Sequence, residues 1–242
     1  KNASPSKTMT ATQFKKIRNR GAAIKKLERI ALTNLHNTLR HIKYNRGEQI
    51  HFYRFSSRLI PLVGHELVKD WDFLSPLKEQ LLVIGQMISS SKMRVGFHPE
   101  HFTLINSPRK EVFKQSVDII KRHVDLLKLM GLSSRHRNVL HVGSKAGGKE
   151  KAMARFISRF SEVPKELGES LLLENDDKIF TAEETLQICE ELTIPMVLDL
   201  HHDYCNPSNQ SIIDLWPRIK NTWNNSDFPP KIHISSPKSK AD

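Results

Sequence analysis

The sequence predicts an α/β protein built on a parallel sheet, from three observations. Six short, nearly continuous apolar runs alternate with longer amphipathic segments. The runs lack the in–out alternation of a half-solvated strand, as expected of strands covered on both faces. The segments between them are long enough for the helical crossovers that parallel neighbours require. The open doubly wound sheet and the closed (β/α)8 TIM barrel both satisfy this pattern.

In chain order, Gly21–Tyr44 reads as a helix, with Ile24, Leu27, Ala31, Leu35, Leu39 and Ile42 at helical spacing. Ile50–Phe55 is the first strand run. Leu74–Ser90, with Leu77, Leu81, Ile84 and Ile88, is the next helix, and Met93–His98 the next strand. Lys110–Met130 carries Val117, Ile120, Val124 and Leu127 and stops at Gly131. Asn138–Val142 is followed by a helix over Lys149–Phe160, and Ser170–Glu174 by one over Thr181–Leu192, whose start Thr181–Ala–Glu–Glu184 is a capping box. Pro195–Asp199 and Lys231–Ile234 are the last strand runs. Between the Asn138–Val142 run and the helix over Lys149–Phe160, Gly143–Ser–Lys–Ala–Gly–Gly148 lacks the order of a phosphate loop and reads as a flexible turn or a weak phosphate contact.

Composition bounds the function. The 242 residues fit one large domain or two small ones. An apolar content of 38% supports a core and excludes a disordered chain. No apolar run approaches the roughly 18–20 residues of a membrane span, and the polar start carries no secretory signal. Two cysteines, Cys189 and Cys205, exclude a disulfide scaffold and point to a reducing, cytoplasmic compartment. With 38 Lys and Arg against 26 Asp and Glu, the net charge is +12. That charge suits a polyanionic partner such as nucleic acid, and equally suits plain solubility.

The chemistry lies where the runs end. His98, His141, Glu174 and Asp199 close or nearly close their strands, His201 and His202 follow Asp199, His233 lies in the last run, and His65 follows the first. In a barrel these ends open onto one face. A lone strand-end histidine is usually structural, Glu174 alone fits a cap or an ion pair, and Asp199 alone fits a turn. Together they are costly without a purpose. Neutral imidazoles with carboxylates form a Zn- or Mn-type site, and more than four candidates imply two or three metals. Such clusters hydrolyse phosphodiesters.

Several strings carry a resemblance: Ser57–Arg–Leu–Ile–Pro–Leu–Val–Gly–His65, Gly96–Phe–His–Pro–Glu–His–Phe102, Val139–Leu–His–Val–Gly143, Leu173–Glu–Asn–Asp176, Asp199–Leu–His–His–Asp203, Lys231–Ile–His–Ile–Ser–Ser236 and the start Asn2–Ala–Ser–Pro–Ser–Lys–Thr8. In this order over essentially the whole chain, they resemble the UV damage endonuclease family, related to the endonuclease IV-like (β/α)8 barrels. The resemblance implies a metal-dependent, ATP-independent repair enzyme. Such an enzyme nicks damaged double-stranded DNA immediately 5′ to cyclobutane dimers, 6-4 photoproducts and some abasic sites. It implies up to three divalent metals, Mn2+ first and Zn2+ second. The implied ligands are His65, His98, His141, Glu174, Asp199, His202 and His233, with Glu174 and Asp199 bridging. Lys231 matches a lysine that the family can carry carboxylated beside the metals, so Glu174, Asp199 and Lys231 are the catalytic candidates. His101 and Phe102, where a Gln-Tyr pair is more usual, match residues inserted into the duplex at the lesion. The rival reading packs Phe102 in the core and makes His101 a further ligand.

Arg54, Arg58, Lys145, Lys149, Lys151 and Lys238 flank strand ends and are candidate phosphate contacts, though each also reads as an ordinary solvated side chain. The expected organisation is a single barrel domain over 1–242, a fragment lacking the family's first and last strands, in a monomer that acts at the nucleoid; a role in sporulation is also open. A metal-dependent sugar isomerase shares such a barrel but has no need of the charge. A non-catalytic nucleic-acid-binding barrel would hold no stoichiometric metal.

Overall fold

The computed structural model describes residues 3–236, so Asn2 and Lys238 lie outside the described residues. The chain divides into two compact units, Lys1–His98 with Arg122–Ser133 and Pro99–Lys121 with Ser134–Asp242.

The first unit holds α1 (Ala11–Lys15), α2 (Arg20–Gly47), β1 (Phe52–Phe55), a 3-10 turn at Glu66–Val68, α3 (Leu74–Ser90), β2 (Arg94–Phe97) and the end of α4 (Lys110–Leu129). Strands β1 and β2 pair in parallel, from Phe52 beside Arg94 to Phe55 beside Phe97. Helix α2 starts where the Asn19 side chain accepts from the Ala22 N–H. It buries Ala23, Leu27, Ala31, Leu35 and Ile42 against α3 and β1. Each buried Leu or Ile there contributes about 1.5–3 kcal/mol. Asn34, on the same face, is fully buried yet satisfied: its amide donates to the Lys7 and Leu59 carbonyls at 2.8 and 3.0 Å and accepts from the Lys7 N–H at 2.9 Å. After α4, Gly131 takes φ 72°, the left-handed stop that its position predicts.

The second unit holds β3 (Asn138–His141), α5 (Lys149–Phe160), α6 (Lys165–Glu169), β4 (Leu171–Glu174), α7 (Ala182–Leu192), β5 (Met196–Asp199), α8 (Leu200–Cys205), α9 (Ile212–Asn221) and β6 (Ile232–His233), together with the start of α4. Each of β3, β4 and β5 pairs in parallel with the next strand. Every residue of β4 and of β5 is buried, as their uninterrupted apolar runs predict. Val139, Leu172, Val197 and Trp223 form one core cluster, and the Trp223 indole donates to the Met196 carbonyl at 2.6 Å. The capping box at Thr181 forms in full.

The strand–helix alternation is therefore α/β with parallel strands. Residues 143–148 form the turn expected, closed by the Gly148 N–H to the Lys145 carbonyl at 2.9 Å. The Asn106 carboxamide clamps Ser144 at both its N–H and its carbonyl (2.9 and 2.7 Å), and Arg155 binds the Asn106 and Ala146 carbonyls. Gly143 is required there: at φ 107°, a Cβ would stand 2.8 Å from Leu104.

Candidate metal centre at the strand ends

In the second unit the ends of four successive strands bring carboxylates and imidazoles together. Glu174 is the last residue of β4 and only 1% exposed; Asp199 is the last residue of β5 and 6% exposed. The His233 imidazole, on β6, hydrogen-bonds the Glu174 carboxylate through Nδ1 and lies 3.9 Å from Asp199 Oδ2. His141, the last residue of β3, brings Nε2 to 3.7 Å from Glu174 Oε2. Ligand atoms of Glu174, Asp199 and His233 all lie within 4.8 Å of one another.

Local hydrogen bonds orient these groups. The buried Asn175 staples the two strand ends, donating to the Asp199 carbonyl at 2.9 Å and accepting from its N–H at 2.8 Å. Its own carbonyl, 2.8 Å from His202 Nδ1, takes that ring's N–H and leaves the lone pair on Nε2. His141 Nδ1 faces the Glu174 carbonyl at 3.3 Å, so its Nε2 likewise carries the lone pair. Asp199 Oδ1 caps α8 by accepting from the His202 N–H, which fixes where that histidine stands. Buried carboxylates persist as anions only when paired or metal-bound. Two of them facing several imidazoles form a mixed oxygen and nitrogen donor set that fits a divalent transition metal.

The other expected residues fall as follows. His98 follows β2 in the first unit, half-buried, with its carbonyl accepting from Ser57 Oγ at 3.0 Å. His65, also in the first unit, is exposed and caps the 3-10 turn, its Nδ1 accepting from the Leu67 N–H at 3.1 Å. That bond puts the ring proton on Nε2, the opposite tautomer from His141 and His202. Lys231 is half-buried and directly precedes β6, two residues before His233. Phe102 is 53% exposed at a turn closed by Thr103 N–H to the Glu100 carbonyl, and His101 stands edge-on to it at 5.8 Å. That exposure removes the reading in which Phe102 packs in the core. Arg54, Arg58, Lys145 and Lys151 are exposed, whereas Lys149 is held by the Glu184 carboxylate at 2.9 Å. Asn175 escapes a search for charged or metal-binding residue types; the signal was a polar residue directly after a buried strand-end acid.

Parallel strands with helical crossovers, and a carboxylate–imidazole cluster at the strands' C-terminal ends, define the class: an α/β protein with a metal-type site at its strand ends. Within that class, the model of the UV-endonuclease UvdE family matches residues 1–242, and the chain belongs to this family of DNA endonucleases. It is 47% identical over 241 residues to a UV DNA damage endonuclease of Halalkalibacterium halodurans, covering 100% of this chain and 75% of the relative. The crystal structure of SacUVDE superposes with a TM-score of 0.86 at 29% identity, over 99% of this chain and 78% of that one. Endonuclease IV from Thermus thermophilus shares the fold alone, with a TM-score of 0.52 at 12% identity over 76% of this chain and 66% of that one. The fold class is thus that of the TIM-barrel-like enzymes.

Proposed function

We propose that this protein is a metal-dependent repair endonuclease that nicks DNA immediately 5′ to cyclobutane dimers, 6-4 photoproducts and some abasic sites, without ATP. The observation that carries the reading is the pair of buried carboxylates, Glu174 and Asp199, facing His141, His202 and His233 at successive strand ends. Divalent metal held there, Mn2+ first and Zn2+ second and up to three ions, would polarise the scissile phosphate and supply a nucleophile at neutral pH.

The chain's own residues divide the remaining work. Glu174 and Asp199 would hold the metal and supply the negative charge that balances it. His141 and His202 offer Nε2, their Nδ1 protons being engaged with backbone carbonyls. His65 and His98 are ligands on the family resemblance, and Lys231 on the same ground is a carboxylated side chain beside the metals. Phe102 and His101 unstack the duplex at the lesion. An exposed aromatic wedge pays a few kcal/mol to open a sound base step and less at a damaged one, so it selects for deformability rather than sequence. Arg54, Arg58 and Lys145 would meet phosphates; Lys149 would have to leave Glu184 to do so. The protein would act as a monomer in the cytoplasm, at the nucleoid.

Glu174→Gln and Asp199→Asn test the assignment. Each is expected to abolish nicking of UV-irradiated plasmid, by at least about a hundredfold, while damaged DNA is still bound. Normal nicking by Glu174→Gln would remove that residue from the site.

A further inference from the structure

The net charge of the chain is not spread over it. Residues 1–47 hold 12 Lys and Arg and a single acid, Glu28, and so carry +11 of the total +12. Seven of those cations lie on α2. Two are engaged: Arg20 pairs with Asp70, and the Arg46 guanidinium contacts the Met87 sulfur at 3.4 Å. The other five, Lys25, Lys26, Arg29, Arg40 and Lys43, are exposed, and none pairs with a carboxylate among the described residues. Glu28 does not offset them, because its carboxylate is turned to the Trp71 indole N–H at 3.3 Å.

The face that carries these cations is opposite the one bearing Ala23, Leu27, Ala31, Leu35 and Ile42, which packs on α3 and β1. From Lys25 to Lys43 the stripe runs about 27 Å along the helix. Duplex DNA presents about one phosphate charge per 1.7 Å of axis, so a stripe of this length spans many phosphates. A membrane-surface helix would need a free apolar face, and the apolar face of α2 is already buried in the core.

We propose that the exposed face of α2 is a second, sequence-independent contact for the phosphate backbone of duplex DNA, made by residues other than those of the strand-end cluster. The proposal rests on the reading that DNA is the substrate. It gives the enzyme a hold on undamaged duplex while it searches, and it places the chain's excess charge where it does that work.

The test compares the protein with its Lys25→Gln/Arg29→Gln/Arg40→Gln variant on a 30-base-pair undamaged duplex across a salt series. Each lost phosphate contact lowers the slope of log affinity against log salt by about 0.9, so a fall of about 2.7 is expected, with binding at least about tenfold weaker. The charge-conserving Lys25→Arg/Arg29→Lys/Arg40→Lys variant is expected to keep the slope. Incision of a short damaged duplex at saturating enzyme is expected to be unchanged in both. An unchanged slope in the folded neutralised variant overturns the proposal, as does a slope lost in the charge-conserving one. So does adsorption to phosphatidylglycerol vesicles that duplex DNA cannot compete away. Should the protein and its neutralised variant differ in slope as expected while the unsubstituted protein incises nothing, the second contact stands and the repair-nuclease reading falls.

Discussion

His123 is a histidine kept neutral by its surroundings. It lies buried on α4, with its ring stacked on Phe97 at 4.2 Å and 5°. Burial, helped by the neighbouring Arg122 charge, lowers its pKa from 6.5 to about 3. Below pH 6.5 the unfolded chain therefore takes up a proton that the folded chain refuses. Stability falls as pH drops from 6.5 towards 3, by about 1.4 kcal/mol per unit, and is untouched by this group at higher pH. His123→Phe keeps a ring against Phe97 and removes the proton site, so thermal melts from pH 7 to 4 are expected to show a shallower loss than the parent. An identical acid profile would contradict the assignment. Phe102 makes the opposite case, an aromatic residue left in solvent. Phe102→Ala is expected to leave the melting temperature and metal content unchanged while damaged-duplex affinity falls by about 1–3 kcal/mol, the worth of one base stack; gel-shift titration reads it. At this scale the sequence was legible for side chains that advertise chemistry, such as Glu174, Asp199 and His233. It was silent on Asn175 and on the tautomer of His65, because those depend on which backbone group lies opposite.

Helix α3 shows packing overruling propensity at the level of the element. Gly85 sits inside it, where alanine ordinarily gains about 1 kcal/mol. A Cβ at Gly85 would stand 1.6 Å from the Met130 carbonyl oxygen. Gly85→Ala is therefore expected to destabilise by about 2–3 kcal/mol in a denaturant titration, the reverse of the propensity sign; a stabilised variant would show that this contact is not as close as described. The strands and the long helices were legible because their apolar patterns are regular: α3 and α5 begin and end where the spacing places them. Helices α1, α6 and α8 were not, being five or six residues long with too few turns to show a period. Helix α9 was hidden by Pro217 inside it, which reads as a break.

At the scale of the whole molecule, the charge total fitted a polyanionic partner and plain solubility equally, and the location of the charge emerged only with α2 folded and its apolar face covered. The barrel class needed more than the alternation of elements, since an open doubly wound sheet fits that alternation equally well. The decisive measurement is nicking of supercoiled plasmid by the protein, with the plasmid either UV-irradiated or untreated and the buffer containing either Mn2+ or a chelator. Conversion to open circles is expected only for irradiated DNA with Mn2+. Equal nicking of untreated plasmid, or nicking that survives chelation, would contradict a metal centre at the strand ends that acts beside damage.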